Sequence, residues 1–346
     1  MADSDNDPSP SAFVRCPNMY GSGPSTGVAP RRSDPAWQVQ AARISAGIER
    51  ELRGTVARGT VVAVHVTAVN LRIGRTSVTI AATAAGGLPD GVLVADSFRP
   101  RALGLLPGML VRRDGNALIV GRDALLGGRD ALRIELAGAT VWSPVVSPIT
   151  RRPARLGERA RVVLDETSAG GCCGFGMPAG EAFKWDRPAS RGDFGGVARP
   201  AIRGLWLALI QGDVPAARDA GSNLIGLGAG LTPAGDDVLV GLTAVLTALG
   251  HRAARPLAAS WSLAARDRTT LVAETFHRHA ARAEYAERFH QLLGGLLLGP
   301  FDAIAPAVRR AAQFGATSGL DSLLGVSIGL DVAARAETAE TMRGPA

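Results

Sequence analysis

The hydrophobic pattern of the chain changes once, near residue 200, and this change constrains the fold more than any other feature. Before it, short β-branched runs at 60–66, 77–80 and 91–94 are separated by Gly, Pro and Asp, a pattern typical of strands joined by turns. After it, Ala- and Leu-rich segments have helical periodicity. The sequence therefore predicts an α+β fold, with an N-terminal all-β, barrel-like domain followed by a C-terminal α-helical domain.

Composition predicts where these regions begin and end. The first segment is rich in Asp, Ser, Pro and Gly and is predicted to be a disordered leader, and the β-domain after it is expected to begin with a helix at 37–52. The predicted regions are the leader at 1–35, the β-domain at 36–150, an Arg- then Gly/Pro-rich linker at 151–200, the helical domain at 201–334 and a tail at 335–346.

Charged residues exclude several chemistries. The formal net charge is +7, yet Lys184 is the only lysine among 346 residues. A P-loop and a kinase each need a lysine in a defined local motif, and Phe183-Lys184-Trp185 matches neither. Residues 201–346 carry 13 basic and 13 acidic side chains. The basic excess therefore lies outside the predicted helical domain.

Cysteines and apolar segments indicate the compartment. Cys172 and Cys173 are adjacent, and Cys16 lies in the leader, so no disulfide framework or zinc spacing is present. The leader has no signal-peptide core, and the apolar run at 238–249 is too short to cross a bilayer. We expect a cytoplasmic protein that is not inserted in a membrane.

The basic excess includes an arginine strip, which we define as Arg151, Arg152, Arg155, Arg159 and Arg161. Nucleic-acid binding would fit such a charge, but interleaved aromatics, a helix-turn-helix and a zinc knuckle are all missing. We interpret the strip as a solvated basic face or a docking surface for partner chains.

One segment carries most of the chemical information: Gly-Leu-Gly-Ala-Gly-Leu-Thr-Pro-Ala-Gly-Asp-Asp at 226–237. Alternating glycines let a ligand approach the backbone closely and can direct successive N–H groups at one anion. Thr232 followed by Pro233 is typical of a helix start, with Thr232 as the N-cap, and helix starts bind anions. The alternative is a tight helix–helix turn without a ligand.

Asp236 and Asp237 argue for a site. They lie in the first turn of an otherwise apolar helix, where a buried carboxylate needs a partner because desolvating an unpaired charge is costly. Arg, Mg²⁺ or N–H groups of a substrate could supply it. Residues 315–325 repeat the spacing, because Thr317 and Asp321 are four apart like Thr232 and Asp236. We predict that both helix starts face one site where Asp236, Asp237 and Asp321 converge; chance similarity is the alternative.

Several weaker candidates accompany this segment. His277 and His279 are two residues apart and do not share a helix face, so we interpret them as part of an exposed charged face. Thr269 and Thr270 precede a helix predicted at 270–293 and either cap it or contribute a hydroxyl to the site. The predicted substrate- or phosphate-binding positions are Gly226, Gly228, Gly230, Thr232, Gly235, Thr317, Ser318, Asn70 and Thr270.

The segment at 226–237 resembles the AllH-like family of oxamate carbamoyltransferase subunits. Weaker support comes from Thr269-Thr270, from residues 315–325 and from Ala68-Val69-Asn70-Leu71. The resemblance extends over about residues 40–330. It implies one subunit of a multi-protein enzyme in anaerobic purine (allantoin) breakdown, in which phosphate attacks the ureido carbonyl of oxalurate to give oxamate and carbamoyl phosphate. It places ligand binding at Gly228, Gly230, Thr232, Asp236 and Asp237.

The sequence thus predicts a carbamoyltransferase subunit that binds a ureido or carbamoylated acid and phosphate. Backbone donors would stabilise the developing negative charge. The predicted catalytic residues are Asp236, Asp237 and Asp321, which would orient NH₂ groups or hold Mg²⁺. No other cofactor is expected. The alternative is a noncatalytic binding or assembly subunit whose β-domain and arginine strip dock the catalytic chains.

Overall fold

The computed structural model describes residues 37–53, 58–74, 76–122, 131–183 and 195–343. The predicted leader and Lys184 lie outside these ranges. The chain divides into two compact units between Ser143 and Pro144. An N-terminal β-barrel and a helical C-terminal part confirm the α+β prediction.

The N-terminal unit is an eight-stranded closed barrel with a ninth strand beside it. Hydrogen bonding follows the order β5-β4-β3-β2-β6-β7-β8-β1, and β1 also pairs with β5, which closes the sheet. Strand β9 runs parallel to the second half of β1. The strands are β1 (Trp37–Ser45), β2 (Arg58–Val64), β3 (Ala68–Ile73), β4 (Thr76–Ala82), β5 (Gly91–Val94), β6 (Leu110–Asp114), β7 (Ala117–Gly121), β8 (Leu132–Glu135) and β9 (Thr140–Trp142).

The prediction of a helix at 37–52 is wrong over most of that segment. Residues 37–45 form β1, and only Ala46–Leu52 is helical, as α1, with the Ser45 hydroxyl accepting from the Gly47 amide at 3.3 Å. Val39 and Ala41 are buried while Gln38 and Gln40 are exposed, which is the two-residue alternation of a strand. Pairing of β1 with β8, β9 and β5 overrides the helical propensity of its alanines and glutamines.

The C-terminal unit is helical. Its helices are α2 (Leu156–Ala169), α3 (Gly195–Gln211), α4 (Val214–Ser222), α5 (Ala234–Ala248), α6 (Ala254–Ala264), α7 (Leu271–Ala280), α8 (Glu287–Leu293), α9 (Ile304–Ala312) and α10 (Ser318–Arg343). Of the helices described, none is both long and apolar enough to cross a membrane.

Three boundaries differ from the sequence prediction. The expected linker at 151–200 contains α2, whose buried Leu156, Ala160 and Val163 form a helical stripe that the neighbouring arginines obscure. The helix predicted at 270–293 is two helices, because the chain turns between α7 and α8 with Ala283 at φ 59°. Helix α10 begins at Ser318 and continues to Arg343, through most of the expected tail.

Helices α5 and α10 pack closely at the centre of this unit, where two glycines allow backbone contact. A Cβ on Gly241 would lie 2.0 Å from the Ser322 carbonyl oxygen, and one on Gly325 would lie 1.9 Å from that of Val238. No side chain fits at these distances, so the two helix N-termini are held side by side.

Gly325→Ala should therefore lower the free energy of unfolding by about 3 kcal/mol, because the helices must separate to admit one methyl group. Urea unfolding measures the effect. Gly157→Ala in α2 is the matched control: its Cβ would meet only the Ala334 methyl group, at 3.9 Å. The control should be neutral or stabilising by up to about 1 kcal/mol. Equal effects of the two changes would contradict the close contact.

Candidate functional site

The two helix starts singled out in the sequence meet in the structure. The Thr232 hydroxyl, just before α5, lies 2.8 Å from the Ser318 hydroxyl at the start of α10. Thr232 is not the N-cap that the sequence predicts. Pro233 occupies that position, α5 begins at Ala234, and no side chain caps it. The physical reason is that the Thr232 hydroxyl bonds across to α10 instead of back to its own helix.

Asp237 lies at this junction with an incomplete set of partners. Its side chain is 1% exposed, and its Oδ2 atom has no hydrogen-bond partner among the described residues. Burial raises the pKa of Asp237 to about 7, opposed by the Arg288 charge and by the Ser318 and Thr232 hydroxyls. The nearby Asp321 charge raises it further. Asp237 therefore takes up or releases a proton near neutral pH.

Asp321 is the second carboxylate of the junction. Asp321 is 0% exposed. Its Oδ1 atom accepts a hydrogen bond from the Gly174 amide at 2.7 Å, while its Oδ2 atom has no hydrogen-bond partner within the described chain. Burial raises its pKa to about 6, against the lowering effects of the Gly174 amide and the Thr317 hydroxyl. Two buried carboxylates thus each keep one oxygen available for a donor.

Arg288 is the cation near this pair, and no pattern in the sequence predicted its role. It lies in the first turn of α8, and its guanidinium carbon is 3.3 Å from the centre of the Phe314 ring. Its Nη1 is buried without a hydrogen-bond partner in the described ranges. Burial lowers the pKa of Arg288 to about 10, partly offset by Asp237. At neutral pH Arg288 is therefore charged.

Asp236 does not join Asp237 and Asp321. Its Oδ2 accepts the Gly226 amide at 3.0 Å and the Thr269 hydroxyl at 2.7 Å, and its Oδ1 lies 2.8 Å from His277 Nε2. Adjacent residues on a helix point about 100° apart, so the two carboxylates cannot face the same side. Both oxygens of Asp236 are occupied by protein groups that tie the glycine-rich segment to α7.

The two histidines are buried, so their interpretation as an exposed charged face is wrong. His277 is 2% exposed and contacts Asp236, and His279 Nδ1 lies 2.7 Å from Glu284 Oε2. His277 follows the buried Ala273 by one helical turn. The four-residue spacing from Ala273 to His277 places both on one helix face and was the sequence signal for burial. The two-residue spacing of the histidines obscured this signal.

The predicted glycines divide into two kinds. Gly226 and Gly235 are structural: a Cβ would lie 2.4 Å from the Arg268 carbonyl oxygen in the first case and 1.9 Å from that of Leu224 in the second. Their amides donate to Asp236 and to Leu227. The amides of Gly228 and Gly230 donate to no acceptor in the described part of the chain. These latter two, at φ 121° and 97°, remain available to an anion.

The other predicted positions make contacts of their own. The Thr270 hydroxyl accepts from the Ala273 amide as the N-cap of α7 and donates to the Leu231 carbonyl, so it fixes the glycine-rich segment. Thr317 lies beside Asp321, and its hydroxyl lowers the Asp321 pKa. Asn70 is in the N-terminal unit, buried in β3, where it bonds to Thr79 at 2.9 Å and to His65 at 2.9 Å.

The loop after α2 covers Asp321, which the sequence did not predict. A Cβ on Gly174 would lie 3.0 Å from both Asp321 Oδ2 and Thr317 Oγ1, and 2.9 Å from the Ala234 methyl group. The neighbouring Cys173 is buried, and burial raises the pKa of its thiol to about 11, whereas Cys172 is exposed. A side chain at position 174 would therefore displace groups at the two helix starts.

Metal binding through Asp236 and Asp237 does not fit this geometry, because the Asp236 oxygens are already bonded. Within the described ranges, no group of three or more His, Cys, Asp or Glu residues could hold a metal ion. What the junction offers is two carboxylate oxygens, one guanidinium, several hydroxyls and free backbone amides. Such a set suits a small polar molecule that carries both N–H groups and negative charge.

Comparison with known proteins gives one family resemblance. No curated protein and no solved structure matches the chain. The matching segment includes Asp237, Arg288 and Asp321 but not Gly174. Residues 224–330 match the model of the family described as oxamate carbamoyltransferase subunit AllH, which confirms the resemblance carried by residues 226–237.

Proposed function

We propose that this chain is a carbamoyltransferase subunit that binds a small ureido or carbamoylated acid together with phosphate at the α5 and α10 starts. The observation that carries the proposal is the set of buried polar atoms without protein partners: Asp237 Oδ2, Asp321 Oδ2 and Arg288 Nη1. An unsatisfied buried polar atom costs about 1–3 kcal/mol. A bound ligand would remove that cost.

The reaction consistent with the family is attack by a phosphate oxygen on the ureido carbonyl carbon of oxalurate. A C–O bond forms, the C–N bond to the oxamate part breaks, and that nitrogen takes up a proton, giving oxamate and carbamoyl phosphate. Asp237 and Asp321 would accept hydrogen bonds from the ureido N–H groups. A carboxyl with a pKa of about 6 or 7 can also hold the proton that the leaving nitrogen needs.

The glycine-rich segment would bind the phosphate. The Gly228 and Gly230 amides have no acceptor among the described residues and lie just before α5, where the helix dipole favours negative charge. Donors already in place when charge develops contribute strongly to catalysis. Asp236 would act indirectly, by holding Gly226 at the base of this segment.

Calorimetry with oxamate and inorganic phosphate tests the proposal, on the chain alone and after reconstitution with the other subunits. Asp321→Asn should weaken oxamate binding about 10- to 100-fold, because it replaces a charged acceptor by an amide. The exposed Asp302 on the same unit provides the control, since Asp302→Asn should bind like the natural chain. Absence of binding to both the isolated chain and the reconstituted enzyme would contradict the proposal.

A second candidate is a noncatalytic assembly subunit, and the arginine strip favours it. Arg151 and Arg152 are exposed, and Leu298, near the Arg159 bonds to the Leu296 and Gly299 carbonyls, is 71% exposed. If this alternative holds, the Asp321→Asn chain should support full activity in the reconstituted enzyme. The two candidates therefore differ in one measurement.

A further inference from the structure

Arg288 and Asp237 are close enough for each charge to act on the other, yet they form no direct contact. Asp237 opposes the lowering of the Arg288 pKa, and Arg288 lowers that of Asp237. No ion pair joins them in the described structure, and both Asp237 Oδ2 and Arg288 Nη1 lack a hydrogen-bond partner there. Opposite charges shielded from water normally pair directly, so the missing ion pair between Arg288 and Asp237 needs a physical reason.

Phe314 holds Arg288 in this position. The guanidinium carbon lies 3.3 Å from the Phe314 ring centre and 5.3 Å from that of Phe289. Contact with two aromatic rings restricts the plane of the guanidinium and contributes cation–π attraction. A planar guanidinium fixed in this way matches the geometry of a carboxylate, which it can bind through two parallel N–H bonds.

We propose that Arg288 is the specificity residue for the carboxylate of the substrate. The substrate lies between Arg288 and Asp237, with its carboxylate toward Arg288 and its N–H groups toward Asp237. This inference rests on the proposed function and narrows it. The feature that Arg288 would recognise is a carboxylate joined directly to an amide carbonyl, whose N–H group is then two bonds from the carboxylate carbon. Phosphate would bind separately, at the Gly228 and Gly230 amides.

A matched ligand pair tests this assignment in the full chain, with the other subunits present if the isolated chain does not bind. Oxamate carries the carboxylate, and its ethyl ester keeps the amide but lacks the charge. The natural chain should bind oxamate at least about 100-fold more tightly than the ester. Arg288→Gln should remove that preference by weakening oxamate alone, and Arg288→Lys should restore only part of it because lysine lacks the planar pair of donors.

Phosphate affinity distinguishes the two sources of negative charge. It should change less than about threefold in Arg288→Gln, and a loss equal to that of oxamate would assign Arg288 to phosphate and overturn the proposal. Arg309→Gln is the control, since Arg309 pairs with Glu166 on the surface. Phe314→Leu, which keeps the charge and loosens its placement, should weaken oxamate about tenfold.

The outcomes also separate this inference from the proposed function. If the natural chain binds no oxamate in either form, the proposed function fails. If it binds oxamate and Arg288→Gln keeps both affinity and preference for the carboxylate while unfolding at the normal temperature, only the role of Arg288 is wrong.

Discussion

Replacing Asp236 by alanine is expected to lower the free energy of unfolding by about 3–5 kcal/mol, the cost of removing one member of a buried, hydrogen-bonded pair. The carboxylate accepts from the Gly226 amide and the Thr269 hydroxyl and lies 2.8 Å from His277 Nε2. Alanine would leave all three groups without this acceptor in a site where Asp236 and His277 are each 2% exposed.

Thermal unfolding should show a decrease of about 10 °C for Asp236→Ala, given the size of the helical unit. Asp219→Ala is the control, because Asp219 is exposed and, among the described residues, pairs only with its neighbour Arg218. The sequence alone, by placing Asp236 among the catalytic residues, favours the opposite result: an unchanged melting temperature with ligand binding abolished. Observing that result would show that Asp236 belongs to the ligand site and that its bonds to α7 contribute little.

The two adjacent aspartates show what the sequence could and could not predict about the site. Two carboxylates in the first turn of an apolar helix correctly indicated buried groups needing partners. The sequence did not reveal that His277 satisfies one of them, since that contact depends on how α7 packs against α5. Adjacent side chains on a helix point about 100° apart. This geometry alone indicates, before any packing is known, that Asp236 and Asp237 face different neighbours.

Arg288 was not predictable in the same way. It follows Glu287 in a stretch of mixed charge that is typical of an exposed helix surface, and nothing local separates it from the nearby Arg282. Its significance comes from its position over Phe314 and near Asp237, which arises from tertiary packing. Gly174 was missed for the same reason, because its role depends on contact with Asp321, far along the chain.

Fold prediction succeeded where the pattern is local and failed where pairing is distant. The separation into a β part and a helical part is confirmed, because two- and 3.6-residue periods are properties of short segments. Strand β1 was predicted as a helix because its residues are acceptable in either structure. Its conformation is decided by parallel pairing with β8 and β9. These two strands lie more than 90 residues further along the chain.

Asp237→Asn should have the opposite effect on stability from Asp236→Ala. The pKa of Asp237 is about 7 in the folded chain, against an ordinary value of 3.8. Between about pH 4 and pH 7 the folded chain therefore holds a proton that the unfolded chain has released, so stability falls as pH rises through this range and stays low above it. Asparagine carries no charge to desolvate and should stabilise the chain by on the order of 2–4 kcal/mol at pH 8.

Urea unfolding at pH 5 and pH 8 measures this effect. The natural chain should lose stability between the two values, and Asp237→Asn should lose less, because Asp321, whose pKa is about 6, still contributes. Asp165→Asn, at an exposed position of α2, should follow the natural chain. Oxamate binding should be lost in Asp237→Asn at pH 8, because the asparagine NH₂ would oppose the ligand's own N–H groups.

A variant that is more stable and yet cannot bind would identify Asp237 as a group retained for function at a cost in stability. Burial of a purely structural carboxylate is normally balanced by protein partners, as it is for Asp236, and removing such a carboxylate destabilises the fold. If Asp237→Asn is instead destabilised by more than about 1 kcal/mol at pH 8, its free Oδ2 does not reflect a missing ligand, and the junction of α5 and α10 serves packing alone.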